Sequence, residues 1–325
     1  MSHRREFLLV LLGMPVALAR AQPVDPVRPM RVALIRTPDA KQARSNESIF
    51  VDTLRDLGWI EGRNIVFDRA YANGDETRLP ALAAAAVARK PDVIYVQNNP
   101  ELRAVLASTR AIPVVFSSVS LPVENGFVKS LRRPGGSVTG VASMGYELGG
   151  RRMQLLKRVL PHVKVVGVLH SPGHLSSRNE RQLIEQAAGR NAQLTWLVAN
   201  EVGDIDAALA AAAGRVEALL VTTIPIFIRE RGRILTFAAG HRLPVIGPAA
   251  LFAEEGALVS YSVMAGEQVR RAAYLADKIL RGASPGAIPV EQPTKFELVV
   301  NLKVAKALGV AIPHAVLVQA SRVIE

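Results

Sequence analysis

The middle of this 325-residue chain is written twice. Lys90-Pro91-Asp92-Val93-Ile94-Tyr95-Val96 leads through a polar stretch and a helical segment to Ile112-Pro113-Val114-Val115-Phe116. Arg215-Val216-Glu217-Ala218-Leu219-Leu220-Val221 leads in the same way to Leu243-Pro244-Val245-Ile246-Gly247. An opening strand, Val32–Arg36, is echoed by Val166–His170, so the three offsets are 125, 131 and 134 residues. A period this long does not describe a solenoid. With the order of elements kept, it describes two similar α/β lobes, and two lobes in one chain enclose a cleft.

Short apolar runs such as Val93–Val96 and Ala218–Val221 alternate with helical patterns. That combination predicts parallel strands buried on both faces. The expected architecture is therefore two doubly wound parallel-sheet lobes joined by a hinge, with the repeats over 32–142 and 143–264. Local signals add detail. A helix is expected from Asn46 to Leu57 with Ser45 as its cap, and Ser177-Arg178-Asn179-Glu180 reads as a capping box. Further helices are expected over Arg229–Gly240, Gly266–Leu280 and Glu297–Leu308, and a closing strand over Val316–Gln319.

The N-terminus carries a different message. Arg4-Arg5, the apolar run Phe7–Ala19 and the small-x-small site Ala19-Arg20-Ala21 read as an export signal at residues 1–21, cleaved after Ala21. The run is too short to span a bilayer. A twin-arginine-like or Sec route to the periplasm is expected. The chain has no cysteine, which excludes disulfides, thiolate nucleophiles and thiolate metal sites. The net charge of +12 is spread along a chain with only 5% aromatic residues. Nucleic-acid binders cluster their basic residues, so no nucleic-acid partner is expected.

Catalytic signatures are missing. No G-x-S-x-G, phosphate-loop, G-x-G-x-x-G or H-E-x-x-H pattern occurs. Asp204 and Asp206 open an alanine-rich segment and read as helix capping. His170 and His174 have metal-ligand spacing, but Ser171-Pro172-Gly173 between them forbids the helix that would align them. Neither a metal nor a cofactor is expected.

What remains is polar chemistry just beyond the carboxyl ends of the strands, where open parallel sheets bind ligands. The first lobe offers Thr37, Asn98, Asn99, Ser117 and Ser118, with Asp39 and Gln97 beside them. The second offers His170, Ser171, Thr222, Thr223 and Tyr261, with Ser260. Asn98, Ser117 and Ser118 are expected to face Ser171, Thr222 and Tyr261.

Several segments together resemble the ABC-transporter substrate-binding family of the tryptophan-binding type. They are Leu57-Gly58-Trp59-Ile60-Glu61-Gly62-Arg63-Asn64, Lys90-Pro91-Asp92-Val93-Ile94, Gly126–Gly136 and the closing stretch Pro289–Lys303. The resemblance covers nearly the whole chain. It implies a type I periplasmic-binding-protein fold with a closing cleft. It also implies multiple chain crossings, with lobe 1 formed by 30–142 plus 265–288 and lobe 2 by 143–264 plus 289–325. The implied activity is that of an exported receptor, no enzyme but a monomer. It would deliver a small polar molecule, an amino acid or other small carboxylate or amide, to an ABC permease in the inner membrane. Members often carry Asp before the proline at Leu121-Pro122, Asn-Pro where His170-Ser171-Pro172 stands, and an acid near Gly145. Without those carboxylates a neutral or anionic ligand is favoured over one with an ammonium group. A ligand sensor for a membrane signalling receptor and a secreted α/β enzyme are the alternatives.

Overall fold

Apolar runs that must be buried on both faces assemble into two sheets. The computed structural model describes residues 28–173 and 177–325; the expected export signal and His174 lie outside them. The first lobe runs β1 (Met30–Arg36), α1 (Ala40–Asp56), β2 (Ile65–Tyr71), α2 (Leu79–Ala88), β3 (Val93–Val96), α3 (Asn99–Ser108), β4 (Val114–Ser120) and β5 (Val138–Ser143). Its sheet has the order β2-β1-β3-β4-β5, parallel throughout.

The chain then crosses into the second lobe. Here follow α4 (Gly149–Val159), β6 (Val165–His170), α5 (Ser177–Ala188), β7 (Gln193–Val198), α6 (Asp204–Ala210), β8 (Ala218–Val221), α7 (Pro225–Arg229), α8 (Arg231–Gly240), β9 (Val245–Gly247), α9 (Ala250–Glu255) and β10 (Val259–Val263). It crosses back for α10 (Ala265–Leu280), and returns for β11 (Phe296–Asn301), α11 (Leu302–Leu308), α12 (His314–Gln319) and β12 (Arg322–Ile324). The second sheet has the order β12-β11-β10-β9-β8-β6-β7, and β11 is antiparallel to β10. Strands β7-β6-β8-β9-β10 repeat the order of the first sheet, as the duplicated sequence requires.

Strand alternation divides the cores. In the first sheet Ile94, Val96, Val114 and Phe116 pack with Leu79, Leu102 and Val105 on one face. Val32, Leu34, Val93 and Tyr95 pack on the other with Phe50 and Leu54 of α1 and with Val269, Leu275 and Ala276 of α10. α10 thus completes the first lobe although it follows the second in sequence. The Trp59 indole N–H donates to Asp277 at 2.8 Å on the same face. Residues 288–291 also stay with the first lobe. Thr139 donates to the Ile288 carbonyl (2.9 Å), the Val290 N–H to Leu131 (2.7 Å) and the Glu291 N–H to Gly140 (2.9 Å). The return crossing therefore falls within 292–295, later than residue 289.

Several local expectations are corrected. α1 starts at Ala40, not Asn46, because Asp39 caps it by accepting the Gln42 N–H at 2.8 Å; Ser45 lies inside the helix. The helix expected over Glu297–Leu308 begins as strand β11. Its Phe-Glu-Leu-Val-Val run suits a half-buried sheet, and pairing with β10 outweighs its helical pattern. Asn301 then caps α11, accepting the Val304 N–H at 3.0 Å. The strand expected over Val316–Gln319 is helix α12, which buries Val316, and the closing strand is β12. The helix expected over Arg229–Gly240 is α8, which starts at Arg231, and the short helix α7 precedes it. The capping box at Ser177 does not form. The Ser177 hydroxyl donates to the Ser171 carbonyl, and Glu180 is buried against Arg152 and Thr223.

Candidate functional site

Parallel strands whose side chains are buried on both faces expose polar chemistry only at their ends. Between the lobes, at the carboxyl ends of β3, β4, β6 and β8, lies a cleft of about 730 Å³. Of the residues singled out in the sequence, Asn98, Asn99, Ser118, Ser171 and Thr223 line it. The two asparagines have structural duties, as do Ser171, whose hydroxyl donates to Asn200 at 3.2 Å, and Thr223. Asn98 caps α3 by accepting the Glu101 N–H at 3.0 Å, and Glu101 answers by accepting the Asn98 N–H at 3.3 Å. Asn99 clasps the backbone of Ser120, donating to its carbonyl at 2.9 Å and accepting its N–H at 2.8 Å. The hydroxyls of Ser118 and Ser120 make no hydrogen bond among the described residues, so they remain available to a ligand.

The other expected site residues do not line the cleft. Ser117 and Thr222 are fully buried. Ser117 shares a hydrogen with the Tyr95 hydroxyl at 2.8 Å, and Thr222 donates to the Leu169 carbonyl at 2.7 Å. Each precedes a lining residue, the first pair at an irregularity between β4 and β5 and the second just past the end of β8. His170 is buried with its ring edge-on to Trp196, centroids 5.1 Å apart, and desolvation lowers its pKa. Tyr261 stacks on Phe296 at 6.1 Å, and its hydroxyl accepts from Arg151 at 3.4 Å. Thr37 stands behind Asn98, accepting its amide N–H at 3.3 Å. Asp39 and Gln97 are engaged as a helix cap and as the acceptor for Arg36, and Ser260 is buried.

Sequence reasoning missed the second lobe's apolar wall: Ile224, Pro225, Ile226 and Ile228. One signal for it was present. Pro100 and Pro225 are 125 residues apart, the offset of the repeat itself, and each opens the helix after a central strand. The duplication therefore pairs Asn98 with Thr223 and Asn99 with Ile224. One lobe keeps two amides where the other carries a hydroxyl and a branched hydrocarbon. Ser120, Leu121, Asn125, Ser143, Gly173 and Asn200 complete the surface, with Glu76 and Arg103 exposed at its edge.

Near the cleft, the carboxylates of Glu101 and Glu180 are already engaged, whereas Glu147 Oε2 is buried without a partner among the described residues. Glu101 is fully buried and accepts from the N–H groups of Thr37 and Gln97, both at 2.6 Å, as well as from Asn98. Glu180 accepts from Arg152 at 3.0 Å and from the Thr223 N–H at 3.2 Å. Burial pushes its carboxyl up to about 7 against the pull of Arg152 and Thr223. Glu147 is half-buried in the segment between β5 and α4 and does not line the cleft; desolvation raises its pKa. This constellation contains no nucleophile held by a base. It can hold a molecule by hydrogen bonds on one side and apolar contact on the other.

Known proteins share this architecture. A structure described as a conserved domain protein from Vibrio cholerae O1 biovar eltor superposes with a TM-score of 0.82 at 27% identity, covering 91% of this chain and 100% of that one. The ABC domain from Streptococcus pneumoniae, solved with L-Trp, also gives 0.82, at 21% identity with the same coverage. The curated tyrosine-binding protein of Clostridioides difficile (strain R20291) is 27% identical over 276 residues, 85% of this chain and 79% of that protein. The profile of the ABC transporter substrate binding protein family matches residues 34–324, and the chain belongs to that family.

Proposed function

We propose that the protein is an exported receptor that captures a small molecule between its lobes and presents it to an ABC permease in the inner membrane. The observation that carries this reading is the two-sided cleft: hydroxyls and amides on the first lobe, an isoleucine-rich wall on the second. A ligand touching both lobes binds the closed form better than the open one, and only such a ligand drives closure. The ligand class follows from the walls. Ile224, Ile226 and Ile228 suit an aromatic or aliphatic body, a feature consistent with the tyrosine-binding relative. The head group is a different matter. Glu101 and Glu180 are already bonded to protein donors, and Glu76 is an exposed residue at the edge. Among the described lining residues an ammonium group therefore finds no unengaged buried carboxylate, Glu147 with its unpartnered oxygen lying outside the lining, and burying an uncompensated charge is costly. A small carboxylate or amide with an apolar body fits best.

A thermal-shift screen tests this with matched pairs: L-tyrosine against 3-(4-hydroxyphenyl)propionate, and L-tryptophan against indole-3-propionate. A ligand at 100 times its Kd stabilises the folded state by about 2.7 kcal/mol. The expected result is a shift with the des-amino member of a pair. A larger shift with the amino acids overturns the head-group assignment and leaves the receptor reading intact. No shift with either, extended to other small carboxylates and amides, overturns the cleft as the ligand site.

A further inference from the structure

Under Thr223 sits a wholly buried ion pair that serves neither the core nor a ligand directly. Arg152 of α4 and Glu180 of α5 are both 0% exposed. One guanidinium nitrogen, Arg152 Nη2, gathers three acceptors: the Gly145 carbonyl at 2.6 Å, Thr223 Oγ1 at 2.7 Å and Glu180 Oε1 at 3.0 Å. Thr223 closes the ring. Its hydroxyl donates to the Gly145 carbonyl at 2.9 Å and its N–H to Glu180 at 3.2 Å. Its methyl group lies where a side chain on Gly145 would begin, 2.5 Å from the Cβ position, so only glycine lets the two segments meet.

The members of this ring belong to different parts of the machine. Gly145 lies in the segment that carries the chain from β5 in one lobe to α4 in the other. Thr223 lines the cleft. Arg152 and Glu180 hold these two points together from below. A buried pair is a poor source of stability, because desolvation offsets the attraction. This one is poorer than most, since Arg152 Nε and Nη1 are buried without partners. Well-packed apolar residues would stabilise the lobe better. The feature that an apolar pair would not reproduce is the fixed link between a cleft residue and the crossing strand.

We propose that Arg152 and Glu180 are positioning residues that clamp the Gly145 crossing to the second lobe through Thr223, and so set where the lobes pivot and how far apart they rest. Within this crossing, bending is then confined to Ser143–Met144, on the first-lobe side of the clamp. A ligand that displaces Thr223 acts directly on the pivot. This inference concerns the resting geometry and does not depend on which ligand the cleft takes.

The chain has no cysteine, so a pair of spin labels can be placed uniquely. Glu76→Cys and Arg229→Cys put one label on an exposed residue of each lobe, and pulsed electron resonance reads the distance distribution without ligand. Arg152→Met and Glu180→Gln are each expected to broaden the distribution and shift its mean. Thr223→Val keeps the methyl group and removes only the hydroxyl. It is expected to do the same in a fully folded protein, and it decides the matter if the other two fail to fold. Leu235→Ala, a truncation in the other core cluster of this lobe, is the control for a general loss of stability. An unchanged distribution in folded Thr223→Val overturns the proposal, and so does equal broadening in Leu235→Ala.

Discussion

Adjacent residues with the same chemistry have opposite duties in this protein. Ser118 presents its hydroxyl to the cleft, while Ser117 bonds Tyr95 inside the sheet. Ser118→Ala is therefore expected to weaken binding of an identified ligand by about 1 kcal/mol, roughly a five-fold rise in Kd, with little change in melting temperature. Ser117→Ala is expected to do the reverse; calorimetric titration and thermal unfolding on both variants check the pair. Glu180 supplies a pH test. Its pKa is raised from the ordinary 4.5 to about 7, so between those values the folded state binds more protons than the unfolded state. Stability from this group is then present in full below the unfolded value and declines as pH rises through about 7. Glu180→Gln should flatten the decline between pH 5 and 8 in thermal unfolding scans; an identical slope in both proteins would contradict the assignment.

At the scale of elements, helix ends and strand pairing carried the surprises. The polar segment Ala40–Ser45 has little apolar periodicity of its own, so α1 reads as starting late. It extends to Ala40 because Asp39 satisfies an amide that would otherwise lack a partner. Asp39→Ala is expected to cost about 1 kcal/mol of stability, whereas Ser45→Ala, an exposed position inside the helix, should be neutral or slightly stabilising. Denaturant titration of the two variants distinguishes them. The stretch Phe296–Asn301 shows the limit of local pattern. Its apolar residues fit a helix face about as well as a strand, and the decision came from β10, which offered an unpaired edge.

At the scale of the whole molecule, three crossings join the lobes, and they are tied to one another. The Met264 N–H donates to the Lys295 carbonyl at 3.1 Å, and the Gln268 amide to the Ala142 carbonyl at 3.1 Å. Linked crossings favour a rigid-body hinge over independent bending of each strand. A ligand that closes the cleft should therefore reduce the radius of gyration in small-angle scattering while leaving the far-ultraviolet dichroism unchanged. A dichroism change without compaction would argue for local folding instead.

What the sequence determined by itself is the duplication and its consequences. Two runs of buried strand 125 residues apart, each flanked by helices, dictate two parallel sheets of the same strand order and a polar cleft at their carboxyl ends. Those features depend on hydrophobic periodicity, which is local and repeated. The tertiary structure alone decided which of two neighbouring residues lines the cleft, at Ser117-Ser118 and at Thr222-Thr223. It also decided which lobe residues 288–291 accompany, and that Glu180 joins an ion pair instead of capping its helix. The physical reason is long-range contact. Each of these choices is made by a contact that local periodicity does not encode: Tyr95 with Ser117, Leu169 with Thr222, Thr139 with Ile288 and Arg152 with Glu180.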